Sequence, residues 1–248
     1  MHHSADRTIL KVTGKDCYHF LNGLITNEIR KLKDGLVYAA LLTPQGKYIA
    51  DFLLVGVREG VLIDAHSSLA APLFQRLSMY KLRADVEIEQ TNLKVMRGVG
   101  ELPSLNAYPD PRHPALGWRL YGEDHPPEDQ IDWDAIRVEH CIPETGVELT
   151  PETYILEAGF EALSGVDFHK GCYVGQEVTA RMKHKTELRK GFRTVSVEGA
   201  APVGTEIIAN GKAVGQLFTQ ADGKAIAYLR FDRISEVMTA GDALVRPI

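Results

Sequence analysis

Lys170-Gly171-Cys172-Tyr173-Val174-Gly175-Gln176-Glu177-Val178-Thr179-Ala180-Arg181-Met182-Lys183-His184-Lys185 is the stretch on which the reading of this chain turns. Glycines and polar residues interrupt every apolar period within it, and the texture differs on its two sides. Downstream, Phe192 to Val197, Thr205 to Ala209, Ala213 to Thr219, Ala225 to Phe231 and Ala243 to Arg246 are short β-prone runs, and Asn210-Gly211 is a two-residue hairpin signal. Such runs with no helical period predict a small β-barrel or sandwich from Gly191 onward. Upstream, hairpins alternate with single helices. Thr8 to Val12 reads as a strand, and Cys17, Phe20, Leu21, Leu24, Ile25 and Ile29 share the spacing of one amphipathic helix. Val37 to Thr43 and Lys47 to Val57, joined by Pro44-Gln45-Gly46, predict a hairpin. Val61 to Ala65 follows as a strand, then a helix capped by Ser67 or Ser68 and ending near Leu82, then strands Asp85 to Glu89 and Leu93 to Arg97. Pro103, Pro109, Pro111, Pro114, Pro126 and Pro127 are half of the chain's twelve prolines, so this region reads as a connector with one strand, Leu116 to Tyr121. Trp133 to Cys141 resumes helical spacing. The fold class read from this order is α+β, with a β-barrel appended.

Composition narrows the function. With 44% hydrophobic and 25% charged residues among 248, the chain is globular, which excludes a disordered or collagen-like protein. No apolar run approaches the ~20 residues of a membrane span. Met1 to Arg7 lacks the apolar stretch of a secretory signal, so the expected location is cytoplasmic. A net charge of -5 argues against a dedicated nucleic-acid binder. Cys17, Cys141 and Cys172 form no C-x-x-C pair, which speaks against a disulfide scaffold or a structural metal site built from these thiols, so a thiol that matters acts singly. Cys17 and Cys141 lie in helical stretches and read as core. Cys172 has His169, Lys170, Arg181 and His184 nearby in sequence, a neighbourhood that favours a thiolate, and Gly171 and Gly175 would let backbone amides approach a ligand. The other reading is a structural cysteine in a glycine-rich turn. The basic run Arg181, Lys183, His184, Lys185, Arg189, Lys190 and Arg193 reads either as an anion-attracting strip or as a solvated edge. It lacks the aromatic residues that base stacking requires.

These residues carry a family resemblance. Lys170 to Glu177 resembles the K-G-C-[YF]-x-G-Q-E signature of the YgfZ family of folate-binding, iron-sulfur cluster maintenance proteins, and Val178 to Met182 matches its continuation. Thr43-Pro44-Gln45-Gly46-Lys47 with Asp51-Phe52 resembles that family's T-P-Q-G-[KR] and D-F elements. The family is related to the glycine-cleavage aminomethyltransferase, the T-protein. The resemblance implies a T-protein-like fold: two interleaved α+β domains around a central channel plus a C-terminal β-barrel. The corresponding division is residues 1–45 with 128–190, residues 46–127, and the barrel at 191–248. Arg137-Val138-Glu139 resembles the T-protein R-L-E segment, and Glu157 falls where that relative places a glutamate on the pterin. Asp51 stands where it has two consecutive aspartates, the second being Phe52 here.

The function implied is a folate-binding protein that supports assembly or repair of iron-sulfur clusters in client enzymes through Cys172, an accessory factor more than a conventional enzyme. Its cofactor would be tetrahydrofolate or a derivative, with an iron-sulfur cluster bound only transiently and Cys172 as a passing ligand. Its partners would be a reduced folate and iron-sulfur client enzymes or assembly proteins, with no membrane and no nucleic acid. Candidate cofactor-binding residues are Asp51, Glu157, Lys170, Gln176, Glu177 and Arg181, and the basic run would hold a polyglutamyl tail. Two alternatives stay open: a tetrahydrofolate-dependent one-carbon transferase, against which Phe52 speaks, and a folate-independent thiol redox protein.

Overall fold

The computed structural model describes residues 6–123, 130–185 and 187–248, and the chain divides into two compact units: residues 1–131 with 161–178, and residues 132–160 with 179–248. Met1 to Ala5, Pro126 and Pro127, and the domain boundary placed after residue 127, lie outside the described residues.

The first unit is built on an antiparallel sheet of β1 (Arg7–Thr13), β2 (Val37–Leu42), β3 (Tyr48–Val57), β4 (Gly60–His66) and β5 (Glu87–Gln90), in the order β2-β3-β4-β1-β5. The pleat sends alternate residues to opposite faces. Leu10, Val12, Val37, Ala39, Leu41, Ala50, Phe52, Leu54, Val61, Ile63 and Ala65 share one buried cluster with Cys17, Phe20 and Leu21 of helix α1 (Cys17–Asn22) and Leu73 and Leu77 of helix α2 (Ser67–Lys81). The alternate positions include Arg7, Tyr38, Asp51 and Asp64. A three-stranded sheet, β6 (Lys94–Gly98), β7 (Tyr108–Pro109) and β8 (Trp118–Gly122), runs in the order β6-β8-β7.

Three expectations change here. The boundary at residues 45 and 46 cuts the turn between β2 and β3, whose strands pair from Val37 with Leu54 to Leu42 with Tyr48, so both strands belong to one sheet and one unit. The cap of α2 is His66, whose Nδ1 accepts the Ser68 N–H at 3.3 Å, in place of Ser67 or Ser68. The amphipathic helix expected to reach Ile29 stops at Asn22. Its apolar positions are all buried as the spacing demands, but Thr26 and Asn27 are drawn into long-range hydrogen bonds. Thr26 Oγ1 donates to Gly165 O at 2.7 Å and accepts Ala40 N–H at 2.8 Å. Asn27 Nδ2 donates to Tyr38 O and Ser164 O. Short polar side chains that bind backbone elsewhere compete with helix continuation, and a 3₁₀ turn, Ile29–Lys33, takes up the chain.

The second unit holds helix α3 (Trp133–Glu139) and a closed barrel of β9 (Lys190–Glu198), β10 (Glu206–Ala209), β11 (Lys212–Ala221), β12 (Lys224–Arg230), β13 (Met238–Ala240) and β14 (Ala243–Pro247), ordered β10-β11-β12-β9-β14-β13. Asn210 and Gly211 both have positive φ, 51° and 72°, as a two-residue hairpin turn with the strand twist requires. The sixth strand, β13, escaped notice because its buried-exposed-buried alternation spans only three residues. Residues 132–160, assigned to an α+β domain by the resemblance, group with the barrel. The buried Arg137 guanidinium explains why: it bonds Glu148 Oε2 at 3.1 Å, Ile142 O at 3.1 Å and Thr219 Oγ1 of β11 at 3.0 Å.

Candidate functional site

The signature begins as an arch in the first unit. Asp167 N–H donates to Thr26 O at 3.0 Å, and the Asp167 carboxylate pairs with Lys31 at 2.8 Å while accepting His169 N–H. Lys170 turns inward, and its Nζ donates to Asn22 O at 2.6 Å and Ile25 O at 2.7 Å. Tyr173 is buried as well, with its ring 4.8 Å from the Lys170 ammonium. Between these two buried side chains, Gly171 and Cys172 are exposed. A Cβ on Gly171 would meet nothing within 4 Å.

The second half of the signature is a helix, α4 (Gln176–Lys185), which the interrupted pattern hid. Glu177 lies in its first turn and the exposed Arg181, Lys183 and His184 in its later part, an order that complements the helix dipole. Gly175 has φ +85°, and a Cβ there would lie 2.7 Å from Thr43 O and 2.9 Å from Leu42 Cβ. Gly46, with φ +76°, would place one 2.8 Å from Val178 Cβ. The T-P-Q-G and G-Q-E elements therefore need glycine because each turn presses on the other.

The three thiols differ sharply. Cys17 is buried, its Sγ donating to Val12 O, and burial pushes its pKa up to about 11. Cys141 is also pushed up to about 11, by burial above all. Cys172 is exposed. Iodoacetamide on the native protein at neutral pH is expected to label Cys172 alone, as read by peptide mass mapping, with Cys17 and Cys141 reacting after unfolding.

Asp51 lies on β3 and is 7% exposed, so its carboxylate is turned away from water. Tyr38 Oη donates to its Oδ2 at 2.9 Å and Tyr48 Oη to its Oδ1 at 2.6 Å. Phe52 points the other way, into the core behind the sheet. Two consecutive strand residues cannot share a face, so Phe52 takes no acid from the face that Asp51 occupies, and the argument drawn from it against transferase chemistry loses its force. Sequence reading missed the ion chain on this side. Arg112 pairs with Asp110, Asp110 with Arg119, Arg119 with Asp64, and Asp64 with Arg7. The Arg112 guanidinium in turn lies 5.5 Å from the Tyr38 ring. Its three segments, at Arg7, at Asp64 and from Asp110 to Arg119, are far apart in sequence and none falls in a motif.

Glu157 belongs to the second unit, as does Arg181, whereas Asp51, Lys170, Cys172, Gln176 and Glu177 belong to the first. Glu157 is 9% exposed and lines a cavity of about 230 Å³ with Met182, Leu188, Arg189, Lys190 and Arg230. Its Oε2 accepts from Tyr228 Oη at 2.6 Å and lies 3.8 Å from Lys190 Nζ. Phe192 N–H bonds Glu157 O at 2.9 Å, and a Cβ on Gly191 would crowd that same oxygen at 2.8 Å. The strand thus holds the backbone of Glu157 while tyrosine and lysine orient its carboxylate. Among the described residues, no three His, Cys, Asp or Glu side chains converge as metal ligands.

Comparison with known proteins agrees with this architecture. Residues 189–248 match the family model described as CAF17, C-terminal beta-barrel domain. The glycine cleavage system aminomethyltransferase T of Bartonella henselae superposes with a TM-score of 0.77 over 98% of this chain and 83% of that one, at 15% identity, so the fold is aminomethyltransferase-like. The mitochondrial iron-sulfur cluster assembly factor IBA57 of Mus musculus is 30% identical over 92% of this chain and 76% of its own length. The Homo sapiens protein of the same name matches over the same shares at 30% identity. A Neurospora crassa homologue is 32% identical over 85% of this chain and 56% of its own length. These relatives are named as mitochondrial, which overturns the cytoplasmic location expected from the N-terminal residues. They also make the YgfZ name only approximate: with 30% identity across most of both chains, this protein belongs to the IBA57 family.

Proposed function

We propose that this chain supports the assembly or repair of iron-sulfur clusters on client enzymes, with Cys172 as its working thiol and a reduced folate as its ligand. The observation that carries the reading is the arch, which presents the exposed cysteine of three between two buried anchors. Membership of a family whose named relatives are iron-sulfur cluster assembly factors supports it. A thiolate is a soft ligand suited to iron-sulfur chemistry, but one sulfur cannot hold a cluster, so the remaining ligands come from a partner or a small thiol. The cluster is cargo here.

Glu157 suits the folate. A pterin edge offers adjacent N–H donors, and an oriented carboxylate accepts them. A cavity of about 230 Å³ lies below the roughly 300 Å³ at which sites for drug-sized ligands begin, so it takes the bicyclic head and leaves the tail outside. Lys190 and Arg230 at the same cavity favour the anionic tail.

Two measurements test the proposal. Cells carrying Cys172→Ala are expected to lose client cluster-enzyme activity under oxidative stress, and wild-type activities would reject the thiol role. Titration with tetrahydrofolate, followed by fluorescence, is expected to saturate, and Glu157→Gln to weaken binding about tenfold, equivalent to about 1.4 kcal/mol. Absence of saturable binding in the wild type would reject the folate and favour a plain thiol protein. The transferase reading keeps Asp51 in its favour, but Tyr38 and Tyr48 already engage both carboxylate oxygens. An assay for methylenetetrahydrofolate formation is expected to be negative.

A further inference from the structure

We infer that Lys170 is the positioning residue of the thiol: its ammonium, seated against the carbonyls of Asn22 and Ile25, holds the arch that presents Cys172. The inference rests on the reading of Cys172 as the working thiol. Lysine is almost never fully buried unless its charge is satisfied, and Lys170 is 6% exposed. Its two acceptors lie 148 and 145 residues earlier in the chain, so the side chain staples the signature to the turn after α1. The Tyr173 ring on the far side of Cys172 faces the same ammonium. One cation therefore pins both feet of a two-residue arch. An apolar side chain of equal length could fill the space but would leave two carbonyls without their donor.

The surroundings of the buried ammonium are charged as well. Glu28 and Asp167 face Lys170 and are themselves held by Arg30 at 3.0 Å and Lys31 at 2.8 Å. Burial pushes the Lys170 pKa down to about 8, against the pull of Glu28, Asp167 and the Cys172 sulfur.

The test compares wild type, Lys170→Met and a control for general destabilisation, Ile63→Val, in the core of the same unit. In Lys170→Met, amide exchange at residues 170–173 is expected to quicken about tenfold while the amides of β1 to β4 hold their protection. The rate of Cys172 alkylation by iodoacetamide at neutral pH is expected to fall severalfold, because the loosened arch no longer presents the sulfur. Ile63→Val should change neither. Should Lys170→Met fail to fold, Lys170→Gln, which keeps a donor, is read by the same two measurements. Unchanged local exchange together with an unchanged alkylation rate would overturn the inference, as would equal changes in the control. None of these readouts involves a cluster, so a failure of Cys172→Ala to impair client enzymes would remove the thiol reading and leave the positioning role of Lys170 to stand or fall on its own data.

Discussion

Replacing Arg119 by alanine is expected to destabilise the first unit by about 3–5 kcal/mol, the usual consequence of removing one partner from a buried ion pair. Arg119 is 2% exposed and bridges two buried carboxylates, with Nη1 2.8 Å from Asp64 Oδ2 and Nε 2.9 Å from Asp110 Oδ2. Without it both acids must share the remaining guanidinium groups of Arg7 and Arg112. Thermal melting should show a fall of at least about 6 °C. The exposed pair of Lys15 and Asp85 is the contrast, since Lys15→Ala should leave the melting temperature unchanged. A pH effect follows with a definite sign. Burial pushes the Asp64 and Asp110 carboxyls up, but attraction and hydrogen bonds from their arginines win and hold both below the ordinary carboxylate range. Their contribution is therefore complete above about pH 4, the unfolded value, and is lost as pH falls through the folded values. Arg119→Ala should move acid unfolding to higher pH. Wild-type melting and acid midpoints in this variant would mean that the ion chain contributes nothing net.

Gly175→Ala is expected to be nearly as severe, and to act on the site as well as on stability. The left-handed backbone at φ +85° costs a residue with a Cβ about 1–2 kcal/mol, and the added carbon would sit 2.7 Å from Thr43 O. Relief requires the signature to draw back from the T-P-Q-G turn, and the arch carrying Cys172 moves with it. The expected outcome is a loss of about 3 kcal/mol in denaturant unfolding, together with faster amide exchange through residues 170–176. Gly171→Ala is the matched control: its Cβ meets open space and its φ lies outside the left-handed region, so stability should hold. If Gly175→Ala and Gly171→Ala behave alike, the two motifs are not interlocked as described.

Much of this molecule was legible in its residues because the evidence is local. The β2–β3 hairpin and five of the six barrel strands follow from alternation and turn chemistry, and Asn210-Gly211 adopts the positive φ values that its residue types favour. Cys172 stood out by its setting, and its exposure separates it from Cys17 and Cys141. Other features were out of reach for one reason: their partners lie far along the chain. The helix that should have run to Ile29 is broken by Thr26 and Asn27 reaching to residues 164 and 165. Lys170 read as a cofactor-binding cation, and its bonds to the carbonyls at 22 and 25 could not be foreseen. Asp64, Asp110 and Arg119 sit in no motif and become a chain only when β4 and β8 are brought together. Period and turn type are written in neighbouring residues, so sequence alone determined most of the strands, the barrel and the cysteine to watch. Which polar groups meet depends on chain closure between segments distant in sequence, and that only the tertiary structure decided.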